Sequence, residues 1–541
     1  MNRKSLSRLI AVLITAALLA CVLCGCGSEQ PSAASGTASS NAAAPAAADV
    51  LYHVHNSLPF TTLDPSVEYS NGILTMQQVY ETLTHYNSET TEVEPMIATS
   101  WSTNEDGTVW TFQLRDDITF HDGCALTSAD VKASIERTIR LGQGASYNWD
   151  CVDSIECSGD YEVIFNLKYA APLDLVASAG YAAYIMDEDA CDKDTDWFNE
   201  GHEAGSGPYT IVQASSTQVV FAAYEGYYGG WSDDQYKMVV VQEVEESSAR
   251  RQMLETGEAQ IATNFSSTDL AALREETDKV SILDADTFTN AMAFLNCESY
   301  PCSDVNFRKC LQYSFPYTDA VEGVLDGNAA YSVGIVTAGL WGHDDTLPAY
   351  TTDMDKAAEA LAASDVDVSG GIELRVTYMS GDPDYDNILQ IWQSNLKPLG
   401  INLSLNSMEW DAQWEEGQAV KPEDRQDIFV MLWWPDYASP SSWFDSLIRT
   451  EETPYYNLAY ISDPEIDALI EKADRLAATD REASAAAYIE VQQRLIDGAY
   501  IVNMYDQQHT YVISNSITVD GVIENPAYTT AVPYYNIHKV G

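Results

Sequence analysis

Residues 373–408 spell out a strand, a helix and a second strand. Apolar and polar residues alternate in ELRVTYMS (373–380). Leu389, Trp392, Leu396 and Leu399 then recur at helical spacing until Gly400 stops them, and INLSLNSM (401–408) returns to alternation. Two strands joined through a helix run parallel, because a hairpin cannot connect them, and parallel sheets are covered by helices on both faces. The expected fold class is therefore α/β.

Other segments agree. Trp110, Phe112 and Leu114 alternate with polar neighbours, and Ile118 and Phe120 follow, which predicts a hairpin or a bent strand over 109–120. Thr127 and Asp130 form a capping box ahead of Val131, Ile135 and Ile139, spaced to share one helical face. Asp463 and Pro464 open a helix carrying Ile466, Leu469, Ile470 and Ala473, and Thr479 with Glu482 caps the next one, which ends at Gly498. No internal repeat is visible.

The N-terminus reads as an address rather than as structure. Arg3, Lys4 and Arg8 precede an apolar run from Leu9 to Leu23, broken only by Thr15 and short for a membrane span, as in an export signal. The run ends in LCGC (23–26), where Gly25 precedes Cys26 as lipoprotein processing requires; LLAC at 18–21 makes Cys21 the alternative. The expectation is a signal peptide over 1–25, a diacylglycerol on Cys26, and a flexible tether to residue 49, since 27–48 holds no bulky apolar residue. Simple secretion is the other reading.

Outside the leader lie seven cysteines, among which Cys151 with Cys157, or Cys297 with Cys302 or Cys310, are near enough in sequence to pair in an oxidising compartment. None has the CxxC spacing of a metal site. The 27 Lys and Arg against 82 Asp and Glu give a net charge of -55, and cleavage before Cys26 would remove three cations to leave 24 minus 82, or -58. Such a surface repels phosphate, which excludes nucleic acid as a partner.

Marks of catalysis are missing: no HExxH, GxSxG or P-loop occurs. GSGPYT (205–210) lacks the third glycine of a dinucleotide loop, and DPDYDN (382–387), lacking the glycine and bidentate glutamate of a calcium loop, reads instead as the acidic start of a helix. His53 and His55 share one face of a probable first strand and could hold a metal, although an ordinary first strand is the better reading of them. No catalytic residue, metal site or cofactor is expected. More informative are 32 Tyr and 12 Trp against 13 Phe, since rings with polar tips suit a wet cleft as well as a core edge. WWPDYASP (433–440) concentrates them after the apolar run DIFVML, which places Asp436 just beyond a strand's carboxyl end, where α/β sheets bind ligands.

PMIATSW (95–101), DGTVWTFQLRDDITFHDGCALTSADVKASIER (106–137), GSGPY (205–209), FRKCL (307–311), LKPLGINL (396–403), WWPDYASP and YISDPEIDALIEKA (460–473) occur in that order. Together they resemble the bacterial extracellular solute-binding protein family 5, the oligopeptide-, dipeptide- and nickel-binding components of ABC importers, over essentially all of residues 50–541. The resemblance implies a two-lobe fold like that of the type II periplasmic binding proteins. Lobe I would comprise 50–86, 205–292 and 510–541, with an extra subdomain at 87–204, and lobe II would be 293–509. It also implies a non-enzymatic, extracytoplasmic protein that delivers peptides to a permease and its ATPase. Asp436 matches the aspartate that pairs with the ligand's α-ammonium, and Trp433, Trp434, Tyr437 and Trp410 become candidate pocket walls, each able to serve as core instead. Two departures concern the ligand: Phe315, Pro316 and Tyr317 replace a common Asp-Arg pair, and Ala438-Ser439 replaces Pro-Asp. Arg250, Arg251 and Arg449 are available to anchor a peptide carboxylate, but no motif selects one. A nickel chelate or other small cation is the alternative cargo; a secreted hydrolase or a surface adhesin is the reading from a different class.

Overall fold

Capped helices and alternating strands assemble much as their local signals dictate in the computed structural model, which describes residues 49–540 apart from 58–59, 327 and 529–530. The expected signal peptide, the lipidated Cys26 or Cys21, and all of the tether but residue 49 lie outside the described residues. Among the described residues no helix is long and apolar enough to cross a membrane.

The predicted strand–helix–strand unit is present. Strands Ile372–Met379 and Ile401–Met408 pair in parallel through their whole length, joined by helix Pro383–Leu396, which tightens into the 3-10 turn Lys397–Leu399, and Gly400 ends that turn with a left-handed φ of 80°. Trp392, Leu389 and Ile388 are buried on that helix. The unit forms one edge of an eleven-stranded sheet, followed by Ile428–Trp433, Val280–Leu295, Ile501–Ser514, Ile261–Thr263, Val50–His55, Met238–Glu243, Gln218–Ala223 and Tyr209–Ser215, with Ala329–Ala330 pairing off this path. The sheet is mixed rather than parallel throughout. The reason is its two longest strands, Val280–Leu295 and Ile501–Ser514, which run antiparallel from Val280↔Ser514 to Phe294↔Ile501. Their register slips between Asp286 and Asn290 and again between Ala291 and Met292. These two strands connect a core around Leu374, Trp392, Leu403 and Val430 with another around Leu51, Tyr209, Phe221 and Val239.

A separate antiparallel sheet runs in the order Ala98–Thr103, Val109–Leu114, Glu162–Leu167, Val152–Cys157. Trp110, Phe112 and Leu114 are buried as their alternation predicts, although the strand stops at Leu114. Helix Ser128–Leu141 covers the sheet with the expected Thr127–Asp130 capping box, and Val131 and Ile135 enter the core. Ile139 does not. It is 41% exposed. Asp463 caps Pro464–Ala477 as predicted, but Asp480 rather than Thr479 caps Arg481–Gly498; its carboxylate accepts from the Ala483 amide and is the better N-cap acceptor.

The sequence-level cysteine pairs are not formed: all seven cysteines are free thiols, with Cys124 and Cys157 exposed and Cys151, Cys191, Cys302 and Cys310 buried. Burial pushes the Cys151 and Cys191 thiols up to about 11. A thiol-titrating reagent should therefore modify Cys124 and Cys157 quickly in the native protein and the buried thiols only on unfolding. Mass mapping of labelled peptides checks this; early labelling of Cys302 or Cys310 would contradict the packing described here.

Candidate functional site

The strand Ile428–Trp433 buries Ile428, Phe429, Val430 and Met431, and the chain then leaves the sheet through Trp434, Pro435 and Asp436. This loop is fastened at several points. Trp341 Nε1 donates to the Ala438 carbonyl at 2.8 Å, Trp433 Nε1 donates to Ser442 Oγ at 3.3 Å, and Ser439 and Ser441 hydroxyls are 2.8 Å apart. Ala438 and Ser439, one of the sequence departures, are buried, and Ala438 belongs to the large core around Trp443 and Tyr488. The loop thus presents Asp436 from a rigid base at the carboxyl end of a strand, as expected.

Asp436 is half-buried, and burial pushes its carboxyl up to about 6 against the opposing hydrogen bond from the Tyr147 hydroxyl. Among the described residues no ion pair includes it. Burial together with the Asp436 charge pushes the Tyr147 phenol well up, so it stays protonated and donates to the carboxylate. Tyr147 sits in the short turn Ser146–Trp149 and is also hydrogen-bonded to Tyr69, whose ring lies 5.7 Å from that of Tyr181. On the other side, Trp433 meets Tyr456 at 5.2 Å, Tyr456 meets Trp414 at 5.0 Å, and Trp414 stacks on Trp410 at 5.2 Å. Asp436 therefore accepts from a phenol of the 69–181 group, and Trp433, three residues before it, begins a ladder of rings from residues 410–456.

Three of the four predicted wall residues divide by role. Trp433 and Trp410 belong to the ring ladder, and Trp410 is 40% exposed at its outer end. Tyr437 is packed against two cores and bonded to Ser441, so it supports the loop. Trp434 is 49% exposed, its side chain alternating away from that of Trp433, and no ring contact ties it to the ladder. Sequence reasoning missed Tyr69, Tyr147, Tyr181 and Tyr456. Their only signal is the excess of tyrosine, since they come from four separate stretches of chain.

His53 and His55 lie on the first strand as predicted, buried inside the large sheet. His53 Nδ1 meets the Tyr534 hydroxyl at 2.7 Å and His55 Nδ1 meets Ser57 Oγ at 3.0 Å; burial lowers both, His55 to about 4, and keeps them neutral. Among the described residues, Asp122, Cys124 and Asp187 bring potential ligand atoms within 4.8 Å of one another, at a mostly exposed position where gathered carboxylates need no ion. The three candidate arginines are engaged. Arg250 donates to the carbonyls of Thr263, Val244 and Glu245, Arg251 pairs with Asp269, and Arg449 pairs with both Asp445 and Asp474. Phe315 and Tyr317 stack edge to face at 4.8 Å inside a core, and Tyr317 donates to Gln312. Chemically, the arrangement offers a carboxylate without a cationic partner, walled by aromatic rings.

The family model for bacterial extracellular solute-binding proteins, family 5 (Middle), matches residues 92–454. The chain is 30% identical over 479 residues to the probable D,D-dipeptide-binding periplasmic protein DdpA of Escherichia coli (strain K12), covering 86% of this chain and 90% of that one. Among solved structures it resembles HbpA2 from Haemophilus parasuis, with a TM-score of 0.80 at 19% identity, covering 91% of this chain and all of the other. A nickel ABC transporter protein from Bacillus halodurans gives 0.76 at 20% identity, over 91% of this chain and 100% of the other. These likenesses agree with the mixed α/β architecture.

Proposed function

The chain belongs to the bacterial extracellular solute-binding proteins of family 5, and from that premise we propose that it captures short peptides and hands them to an ABC permease without altering them. The observation that carries this reading is Asp436: a half-buried carboxylate with no ion-pair partner among the described residues, raised to about 6 by burial. Such a group is costly to keep charged and is relieved by an ammonium that brings its own charge and donors; a charge-assisted hydrogen bond of that kind contributes about 1.5 to 3 kcal/mol net. The name of the E. coli relative supports a peptide as the bearer of that ammonium. A small cationic solute would use the same carboxylate, but nothing around Asp436 favours it over a peptide.

We take residues 50–86, 205–292 and 510–541 as lobe I, 87–204 as its extra subdomain and 293–509 as lobe II. In this division Tyr69 and Tyr147 approach Asp436 from lobe I and its subdomain, so a guest lodged among them touches both lobes and favours closure by its differential affinity. The register slips at Asp286–Asn290 and Ala291–Met292, in the strands that join the lobes, suit a hinge. Cys26 carries the lipid that holds the protein at the outer face of the membrane, near its permease and ATPase. No step makes or breaks a covalent bond.

Native mass spectrometry of the protein purified from membranes tests the reading, which expects co-purified peptides released by denaturation. The reading also fixes a pH dependence. Ammonium binding needs Asp436 ionised and the guest's amine protonated, so affinity should be level between about pH 6 and pH 7 and fall by up to about tenfold per unit below pH 6. Calorimetric titration of a bound peptide from pH 8 to pH 5 checks this, and an affinity flat across that range would remove Asp436 from the binding reaction.

A further inference from the structure

We propose that the protein carries a second binding site, away from Asp436, in which the buried carboxylate of Glu81 takes a small organic ammonium. The site is a cavity of about 450 Å³ between helix Ile73–Val79, strand Thr84–Asn87 and residues 520–528 and 533–536, a size usual for small-molecule pockets. It does not depend on the peptide reading, and none of the residues placed around Asp436 lines it. Tyr528 in its wall stands 6.5 Å from the ring of Tyr181. Charge selects the guest. Glu81, Glu89, Glu94 and Asp520 line the cavity, and among the described residues no lysine or arginine does. Glu89 and Asp520 are exposed, and Asp520 already meets His538 at 3.3 Å. His85 stands opposite Glu94 in the strand pair, but burial lowers it from its usual value against the pull of Glu94, so it brings no charge at neutral pH.

Glu81 is the buried acid of the set, at 3% exposure. Its oxygens accept from the hydroxyls of Tyr228 at 2.8 Å, Tyr227 at 3.1 Å and Ser206 at 3.1 Å, which orient the carboxylate without neutralising it. The cation that acts on it, Arg115, is held by Asp117 through two hydrogen bonds of 2.8 Å and lies over the Tyr228 ring at 4.2 Å. Burial therefore outweighs these partners and pushes the Glu81 carboxyl up to about 7. Gln77 Oε1, also in the wall, is buried without a hydrogen-bond partner and wants a donor. An ammonium supplies the missing charge and three donors together. Six tyrosines in the wall, Tyr227 and Tyr535 among them, offer aromatic surface to the cation and its alkyl body. A divalent metal fits less well, since it takes about six to eight oxygen ligands and Glu81 is the one buried carboxylate here.

The test is calorimetric titration of putrescine into the full-length Asp436→Asn variant, which removes the other candidate carboxylate, at about 0.15 M salt to screen the exposed acids. Run at pH 7 in phosphate and in MOPS, it should show one putrescine per chain and release of about half a proton, because a Glu81 carboxyl at about 7 is half protonated before the ammonium arrives. At pH 8 the release should fall to about a tenth of a proton. Adding Glu81→Gln should weaken binding about tenfold or more and abolish the release, whereas adding Glu94→Gln should weaken it about threefold and keep the release. Should the Glu81→Gln protein fail to fold in a melting scan, the proton release and its persistence in Glu94→Gln decide the matter. Absence of binding, binding without proton release, or equal affinity in folded Glu81→Gln overturns the proposal. Displacement of putrescine by calcium chloride at equal concentration overturns it too, by marking a metal site.

Discussion

Replacing Asp436 with asparagine should abolish the thermal shift that peptide produces and, in the same protein, raise the melting temperature of the empty form. The two effects share a cause. A carboxyl at about 6 in the folded protein and near 3.8 when unfolded releases its proton more readily on unfolding, so ionisation favours the unfolded chain. This destabilisation is absent below the unfolded value, grows between 3.8 and 6, and is fully present above 6. The difference, 6 minus 3.8 or 2.2, corresponds to about 3 kcal/mol, reduced to about 1 to 2 kcal/mol because the side chain is only half-buried and water screens it. Asparagine keeps the shape and can still accept from Tyr147, but it carries no charge for an ammonium. At pH 7.5 the empty variant should melt a degree or more above the parent, whereas near pH 4 the two should coincide. Differential scanning calorimetry with and without peptide reads both effects. A variant that keeps its ligand shift, or an empty variant less stable than the parent at pH 7.5, would show that Asp436 is an ordinary structural acid.

Much of this site was legible because its signals are local. WWPDYASP follows an apolar strand, and the strand's end places Asp436 just beyond the carboxyl edge of the sheet without reference to anything distant. Caps behave likewise: Thr127 with Asp130, and Asp463 with Pro464, fix helix starts within a turn of chain. What was illegible depends on tertiary encounter. Tyr147 carries no local mark separating it from the other 31 tyrosines, and only the fold brings its hydroxyl to Asp436. The same holds for Trp433, whose place in the ring ladder is set by Tyr456, and for Tyr437, which identical reasoning offered as a wall but which two cores claim. Sequence proximity also misled for the cysteines, since closeness along the chain does not turn two sulfurs toward each other.

A large loss of stability is expected from Asp64→Asn, and it should reach the candidate site. Asp64 and Arg137 form a two-point ion pair, with Nη1 at 2.6 Å and Nη2 at 2.7 Å from the two carboxylate oxygens and side-chain exposures of 0% and 1%. Thr195 donates a further hydrogen bond to Asp64 at 2.8 Å, and Arg137 reaches the Lys193 carbonyl at 3.0 Å. Removing one partner of a buried pair strands the other charge and costs about 3 to 5 kcal/mol, whereas exchanging both for apolar residues of similar volume is often nearly neutral. Asp64→Asn should thus lower the melting temperature by several degrees, and Asp64→Leu with Arg137→Met should recover much of the loss. The pair also holds the phenols that meet Asp436. Asp64 begins the turn in which Glu68 binds the amides of Thr62 and Gly72 and which presents Tyr69; Arg137 belongs to helix Ser128–Leu141, which leads into the turn carrying Tyr147. Slackening that connection should weaken peptide affinity several-fold even at temperatures where the variant is folded. Leu374→Ala, a truncation in the core around Trp392, provides the control: a loss of about 2 to 5 kcal/mol with affinity unchanged. Should both variants bind peptide as the parent does, the Asp64–Arg137 pair is a stability element alone, and the positioning of Tyr69 and Tyr147 must come from their own turns.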